Sequence, residues 1–289
     1  MNSDCYDLGS MIPITDNHIH LDRRGKGLLA VKEFARAGGT HIILVSKPSW
    51  TLGMEITKPS DYEPVFEETI SIAREVNRSD IGVTAFPVLG VHPAEITVLS
   101  DRVGQTRAEE LMIAGLEIAQ RFVCENEAIA IKTGRPHYEV SESVWDTSNR
   151  IMAYGMTLAR DAGCAVQLHT ETADDAVIAD LAVIAKRSGI SPGKVVKHYA
   201  PPLIHVFERE GIFPGVLAGK GAIESALIEG SRFMMETDYI DDPERPGAVL
   251  GPKTVPRRTL QLVGRFGEEV FWKVHKENPE QVYGIEIVV

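Results

Sequence analysis

"PITDNHIH" (residues 13–20) is a short run in which proline, isoleucine and threonine lead into two histidines one residue apart. Read as a β-strand, it puts His18 and His20 on the same face, because alternate residues of a strand point the same way. Seven further runs rich in β-branched or bulky apolar residues follow: "THIILVS" (40–46), "IGVTAFPVLGV" (81–91), "AIAIKTG" (128–134), "CAVQLH" (164–169), "KVVKHYA" (194–200), "GIFPGV" (211–216) and "RFMMETD" (232–238). They are nearly continuous rather than alternating in polarity, which suits strands buried on both faces of a parallel sheet.

Helical spacing appears between these runs. Phe66, Thr69, Ile70, Ala73 and Val76 form one stripe, Ala108, Leu111, Met112, Gly115, Ala119 and Phe122 a second, and Val177, Ile178, Leu181, Ile184 and Ala185 a third. Strand and helix alternating about eight times predicts an α/β fold, a (β/α)8 TIM barrel. An open doubly wound sheet is the weaker alternative, since no glycine-rich phosphate fingerprint supports it. Loop-like clusters such as "DDPERPGAVLGP" (241–252) sit where a barrel needs a loop, so residues 1–289 are read as a single domain.

The bulk properties agree. The 289 residues are 44% apolar and carry a formal net charge of −11 with a pI near 5.3, which argues against a broad basic face for nonspecific nucleic-acid binding. Three cysteines, Cys5, Cys124 and Cys164, contain no CxxC and predict a reducing, cytoplasmic setting. "MNSDCYDLGSMIPI" lacks a basic region followed by a long apolar stretch, and no run approaches a membrane span.

In such barrels chemistry gathers at the C-terminal ends of the strands. Strand 1 ends in His18 and His20, strand 3 in His92, strand 5 in His169, strand 6 in His198 and strand 8 in Asp238, while strand 4 carries Lys132. Five of the nine histidines therefore fall at strand ends. A lone histidine at a strand end is more often structural; the ordered set points to a metal centre. His41, at the start of strand 2, is read as structural.

The order HxH, then Lys or Glu, then His, His and Asp resembles the amidohydrolase superfamily. More closely, "DNHIHLD", "VLGVHPAE", "QLHTE", "METDYIDDP" and "NPEQVYGI" are similar to the TatD-related metal-dependent hydrolases, over residues 16 to 284. The resemblance implies a metal-activated water acting on phosphoester bonds, as a phosphodiesterase or deoxyribonuclease. It implies that His18 and His20 hold one divalent ion, that His169 and His198 hold a second, and that Asp238 contacts the first and accepts a proton. It implies a place for His92 beside the substrate. Zinc suits such donors, with manganese, cobalt or iron also acceptable.

Lys132 departs from the TatD pattern, which has a glutamate there. A charged ammonium cannot bridge two divalent cations. Branches resembling phosphotriesterase and dihydroorotase use a carboxylated lysine at this point, so Lys132 is expected to be a carbamate that ligates both metals. The alternative is an unmodified Lys132 beside a single ion. Lys132 also raises a second activity: a lactonase, amidase or phosphotriesterase.

Arg135 and His137 in "GRPHY", with Lys253, Arg257 and Arg258 in "GPKTVPRR", are candidate contacts for an anionic substrate. Asp22, Glu95, Glu171, Asp241 and Asp242 lie on the same side and would repel a long polyanion unless turned away. The expected partner is therefore a small anionic substrate or a nucleic-acid strand end, with no membrane.

Overall fold

The strand candidates become strands in a computed structural model that describes residues 12–245 and 248–288. In chain order they are β1 (Thr15–His20), β2 (His41–Val45), β3 (Thr84–Gly90), β4 (Ala130–Gly134), β5 (Ala165–His169), β6 (Val195–Ala200), β7 (Phe213–Leu217), β8 (Met234–Glu236) and β9 (Tyr239–Ile240). Each pairs in parallel with its predecessor from β1 through β8, and β9 pairs with β1 to bring the sheet round on itself. The architecture is the expected α/β barrel.

The ninth strand lies just past the end of the eighth run. β8 keeps register with β7 (Leu217 opposite Glu236), and β9 takes up register with β1 (Ile19 opposite Tyr239). Between them Asp238 adopts φ 47°, a left-handed conformation that aspartate tolerates better than bulkier residues. Its N–H donates to the His18 carbonyl at 3.0 Å, and Thr237 N–H and Oγ1–H donate to the Asp16 carboxylate at 3.0 and 2.6 Å. The closure of the barrel thus places Asp238 against His18 and His20.

The three helical stripes lie on helices Tyr62–Arg78, Gln105–Cys124 and Asp175–Ser188. Their predicted faces pack on the outside of the sheet, with Val177 and Ile184 only partly buried. Inside the barrel, Ile43, Val45, Val88, Ala130, Ala165, Val196, Phe213 and Met234 form a layer filled from below the site by Val282 and Tyr283 of the C-terminal helix Asn278–Tyr283. Among the described residues no helix is long and apolar enough to cross a membrane. Cys124 and Cys164 are free thiols; Cys5 and residues 1–11 of the N-terminal reading lie outside the described residues.

Candidate metal centre

Strand β1 is fully buried although four of its six residues beyond Ile19 and Thr15 are ionisable or amide side chains, so each must find a partner. His18 Nδ1 lies 2.8 Å from Gln167 Oε1. Gln167 Nε2 in turn donates to Tyr283 Oη at 2.6 Å and to the Asn17 carbonyl at 3.1 Å, which fixes the amide so that Oε1 faces His18 as an acceptor. His18 therefore carries its proton on Nδ1 and leaves Nε2 as a bare lone pair. His20 does the same by donating from Nδ1 to the Val45 carbonyl at 2.8 Å.

The two bare Nε2 atoms are 3.1 Å apart. No hydrogen can sit between them in these tautomers, whereas two imidazole nitrogens on one tetrahedral ion, each about 2.0–2.1 Å from it, are themselves roughly 3.3 Å apart. Asp238 Oδ1 stands 3.8 Å from both. His18, His20 and Asp238 form one set of donors that can hold a cation.

A second pair lies beside the first. His198 Nδ1 faces Glu236 Oε1 at 3.0 Å, leaving Nε2 to meet His169 Nδ1 at 3.1 Å. His169 Nε2 is 2.9 Å from His137 Nδ1; with its proton there, its Nδ1 is bare as well. The His18 and His198 rings stack at 3.8 Å, so the two pairs adjoin. Burial holds His18, His20, His169 and His198 well below the ordinary histidine range, reinforced by neighbouring positive charge, so all four are neutral and in the form that ligates metal.

Lys132 is buried on β4 with Nζ 3.3 Å from His18 Nε2, and burial pushes it down to about 8 despite the opposing pull of Asp238 and Glu236. His92 sits with its ring centre 4.5 Å from that of His169. Its Nδ1 accepts from Ala94 N–H at 3.2 Å, and burial keeps the ring neutral, so Nε2 carries the proton and is a donor. The fold thus gathers His18, His20, Lys132, His92, His137, His169, His198 and Asp238.

Arg135 is not gathered there. Its guanidinium stacks 4.5 Å over Trp145 and donates to Glu171, Asn149 and Asp180 at 2.9, 2.9 and 2.6 Å, tying the ends of β4 and β5 to two outer helices. Its donors are spent within the protein, which removes the basis for reading it as a substrate contact. Of the strand-8 cations, Lys253 lies 3.8 Å from Glu33 and Arg258 faces Gln261.

The acidic residues are committed too. Asp22 accepts from Lys47 Nζ at 2.7 Å, Asp241 from the Lys26 and Gly27 N–H groups, and Glu95 from Ser49 N–H and Tyr62 O–H. Asp22, Glu95 and Asp241 are buried.

Three residues that support the site lie within the quoted motifs but are given no role there: Glu236, Gln167 and Tyr283. Glu236 is buried and takes both His198 Nδ1 and Tyr199 N–H, the latter at 2.6 Å. Gly215 makes room for it, since a Cβ there would lie 2.1 Å from Glu236 Oε2. Truncating Glu236→Ala is expected to weaken divalent-ion affinity by about 10- to 100-fold, because His198 loses the acceptor that sets its tautomer. Metal titration checks this, and unchanged affinity would mean that His198 is oriented by another group.

The model of the TatD related DNase family matches residues 15–284. The uncharacterized protein MJ1127 of Methanocaldococcus jannaschii is 40% identical, with 97% of this chain and 99% of that protein covered. Among solved structures, the TatD homologue YjjV of Escherichia coli K12 is similar with a TM-score of 0.66 at 16% identity, covering 95% of this chain and 99% of that one. A mutant of the phosphotriesterase-like lactonase of Deinococcus radiodurans is similar with a TM-score of 0.59 at 16% identity, covering 94% and 96%. Fold, ordered donor set and family match converge: the chain belongs to the TatD-related DNase family and is a hydrolase of that family.

Proposed function

We propose that this hydrolase cleaves phosphoester bonds with the help of two divalent ions, as a phosphodiesterase or deoxyribonuclease, on a small anionic substrate or a nucleic-acid strand end. The observation that carries this reading is the meeting of two pairs of bare imidazole nitrogens, each at 3.1 Å, beside Asp238. His18, His20 and Asp238 would hold the first ion, and His169 and His198 the second. Zinc fits this imidazole-rich set best, and manganese, cobalt or iron fit its chemistry as well. Ions bound there lower the pKa of a water and neutralise charge developing on the attacked group.

The chain's own groups supply the rest. Asp238 accepts the proton of the attacking water. His92, with its proton on Nε2, donates to a substrate oxygen, and His137 keeps the proton of His169 away from its ligating nitrogen. Lys132 would be carboxylated: its neutral Nζ attacks the carbon of carbon dioxide, an N–C bond forms as one C=O π pair moves onto oxygen, one N–H proton leaves to solvent, and the anionic carbamate would offer two oxygens as ligands to the ions. At a pKa of about 8 roughly a tenth of Lys132 is neutral at pH 7, against well under a thousandth for an ordinary lysine. The two free thiols suit a cytoplasmic protein.

Lys132 also favours a second reading, a lactonase, amidase or phosphotriesterase. Assay of bis-p-nitrophenyl phosphate against a panel of lactones, with zinc, manganese, cobalt and iron in turn, separates the two. Turnover of the phosphodiester with little on lactones is the expected result. The reverse would establish the second reading, and inactivity with every ion would sink both.

A further inference from the structure

Polar residues account for the floor of the site; aromatic residues stand around its edge. Three side chains at the C-terminal end of the barrel are large, apolar and exposed: Trp50 (39%) after β2, Tyr138 (38%) after β4 and Tyr199 (47%) in β6. Each touches a different histidine of the site edge-on. Trp50 meets His92 at 6.0 Å between ring centres, Tyr138 meets His137 at 5.3 Å, and Tyr199 meets His198 at 6.0 Å. Those histidines all contact His169, at 4.5, 5.0 and 5.2 Å. The three aromatics therefore surround one half of the centre, the half built on His169 and His198.

Each of the three stands on or beside an anchored group. Trp50 follows Ser49, whose N–H donates to the buried Glu95 that also binds Tyr62 O–H at 2.8 Å. Tyr138 Oη is 2.8 Å from Thr97 Oγ1. Tyr199 has φ 54°, a backbone conformation that a bulky residue rarely adopts, and its N–H is fastened to Glu236. The strained residue thus serves two ends: its amide supports the acceptor of His198 while its ring is turned out to solvent. Exposed aromatic rings clustered around a polar site are suited to stacking on a planar group.

Two of the nearby cations are already engaged. Arg135 is bound to Glu171 and Asp180, and Lys47 to Asp22. We propose that Trp50, Tyr138 and Tyr199 form an aromatic rim that grips a planar heteroaromatic ring carried on the sugar that is esterified to the scissile phosphate, so that ring stacking selects the substrate. This rests on the phosphoesterase reading above for its phosphate and on the rim alone for its ring.

The test is calorimetric titration of the purified protein with its native metal, using thymidine 5′-monophosphate and deoxyribose 5-phosphate, which share the phosphate and differ in the base. The nucleotide should bind at least tenfold tighter, the order expected for one base stacked on an aromatic side chain. Trp50→Leu, Tyr138→Leu and Tyr199→Asn should each reduce that ratio severalfold while leaving sugar-phosphate affinity and metal content within about twofold of the parent. Asparagine at 199 tolerates the left-handed backbone, so this variant removes the ring without adding strain. Equal affinities in the parent, parallel loss of both ligands in all three variants, or failure of either ligand to bind would overturn the rim. Its failure is distinct from that of the phosphoesterase reading: a strong base preference without phosphodiester turnover removes the reaction and keeps the rim, and turnover without base preference does the opposite.

Discussion

Lys132→Ala is expected to lower hydrolysis by a factor on the order of 10² to 10³, the cost typical of removing a group that holds charge in place in the transition state. Metal content should fall from about two ions per chain toward one, and short-chain carboxylates such as acetate or propionate should restore part of both. The reasoning is electrostatic. At an effective dielectric of about 20, two unit charges 4 Å apart interact by roughly 4 kcal/mol, so an ammonium repels each divalent ion by about twice that. With Nζ only 3.3 Å from His18 Nε2, a charged Lys132 and an ion on His18 cannot coexist cheaply. Carboxylation reverses the sign of the charge at the same place. A mass increase of about 44 Da on Lys132 under gentle ionisation, with two ions in the same sample, completes the picture. One ion, an unmodified lysine and no response to bicarbonate would instead leave a mononuclear site in which Lys132 is not a ligand.

The barrel was legible because its strands are covered on both faces: a run such as "HIILV" is buried along its whole length and so is apolar throughout. The histidines were legible because parallel strands put their C-terminal ends at one mouth, so position in the run alone predicts who meets whom. The supporting residues have a different physical character. Gln167 orients His18 across 149 residues of sequence and Tyr283 orients Gln167 across 116, and neither residue type announces such a role. Glu236, two residues before Asp238, lies in an apolar run that reads as a strand core, and only the opposing Gly215 shows that the fold leaves space for it. Arg135 misleads for the converse reason. An arginine just past a strand end has the same chemistry whether it awaits a phosphate or, as here, spends its donors on Glu171, Asn149 and Asp180. The aromatic rim is not legible because an aromatic side chain in a run or loop reads the same whether it packs in the core or stands at the edge of a site.

Asp238→Asn is the second large effect. The substitution preserves shape and the donors' positions but removes the proton acceptor, and kcat is expected to fall about 10²- to 10⁴-fold, the usual range for loss of a positioned general base. The pH profile supplies the sign. Burial pushes the Asp238 carboxyl up to about 6, against the pull of Lys132 and Lys197. Below that value it is protonated and cannot accept a proton; above it the carboxylate is present, so activity rises with pH through this limb. Cations bound on His18 and His20 favour the anionic form of Asp238, which moves the limb downward and makes about 6 its upper bound. In Asp238→Asn the residual rate should lose this limb altogether while a thermal melt stays close to the parent. A limb that persists unchanged in the variant, or one centred above pH 7 in the parent, would show that another group takes the proton. The left-handed break between β8 and β9 then would serve only to close the barrel. Loss of the limb would mean that the same turn closes the barrel against β1 and aims the base at its two histidines.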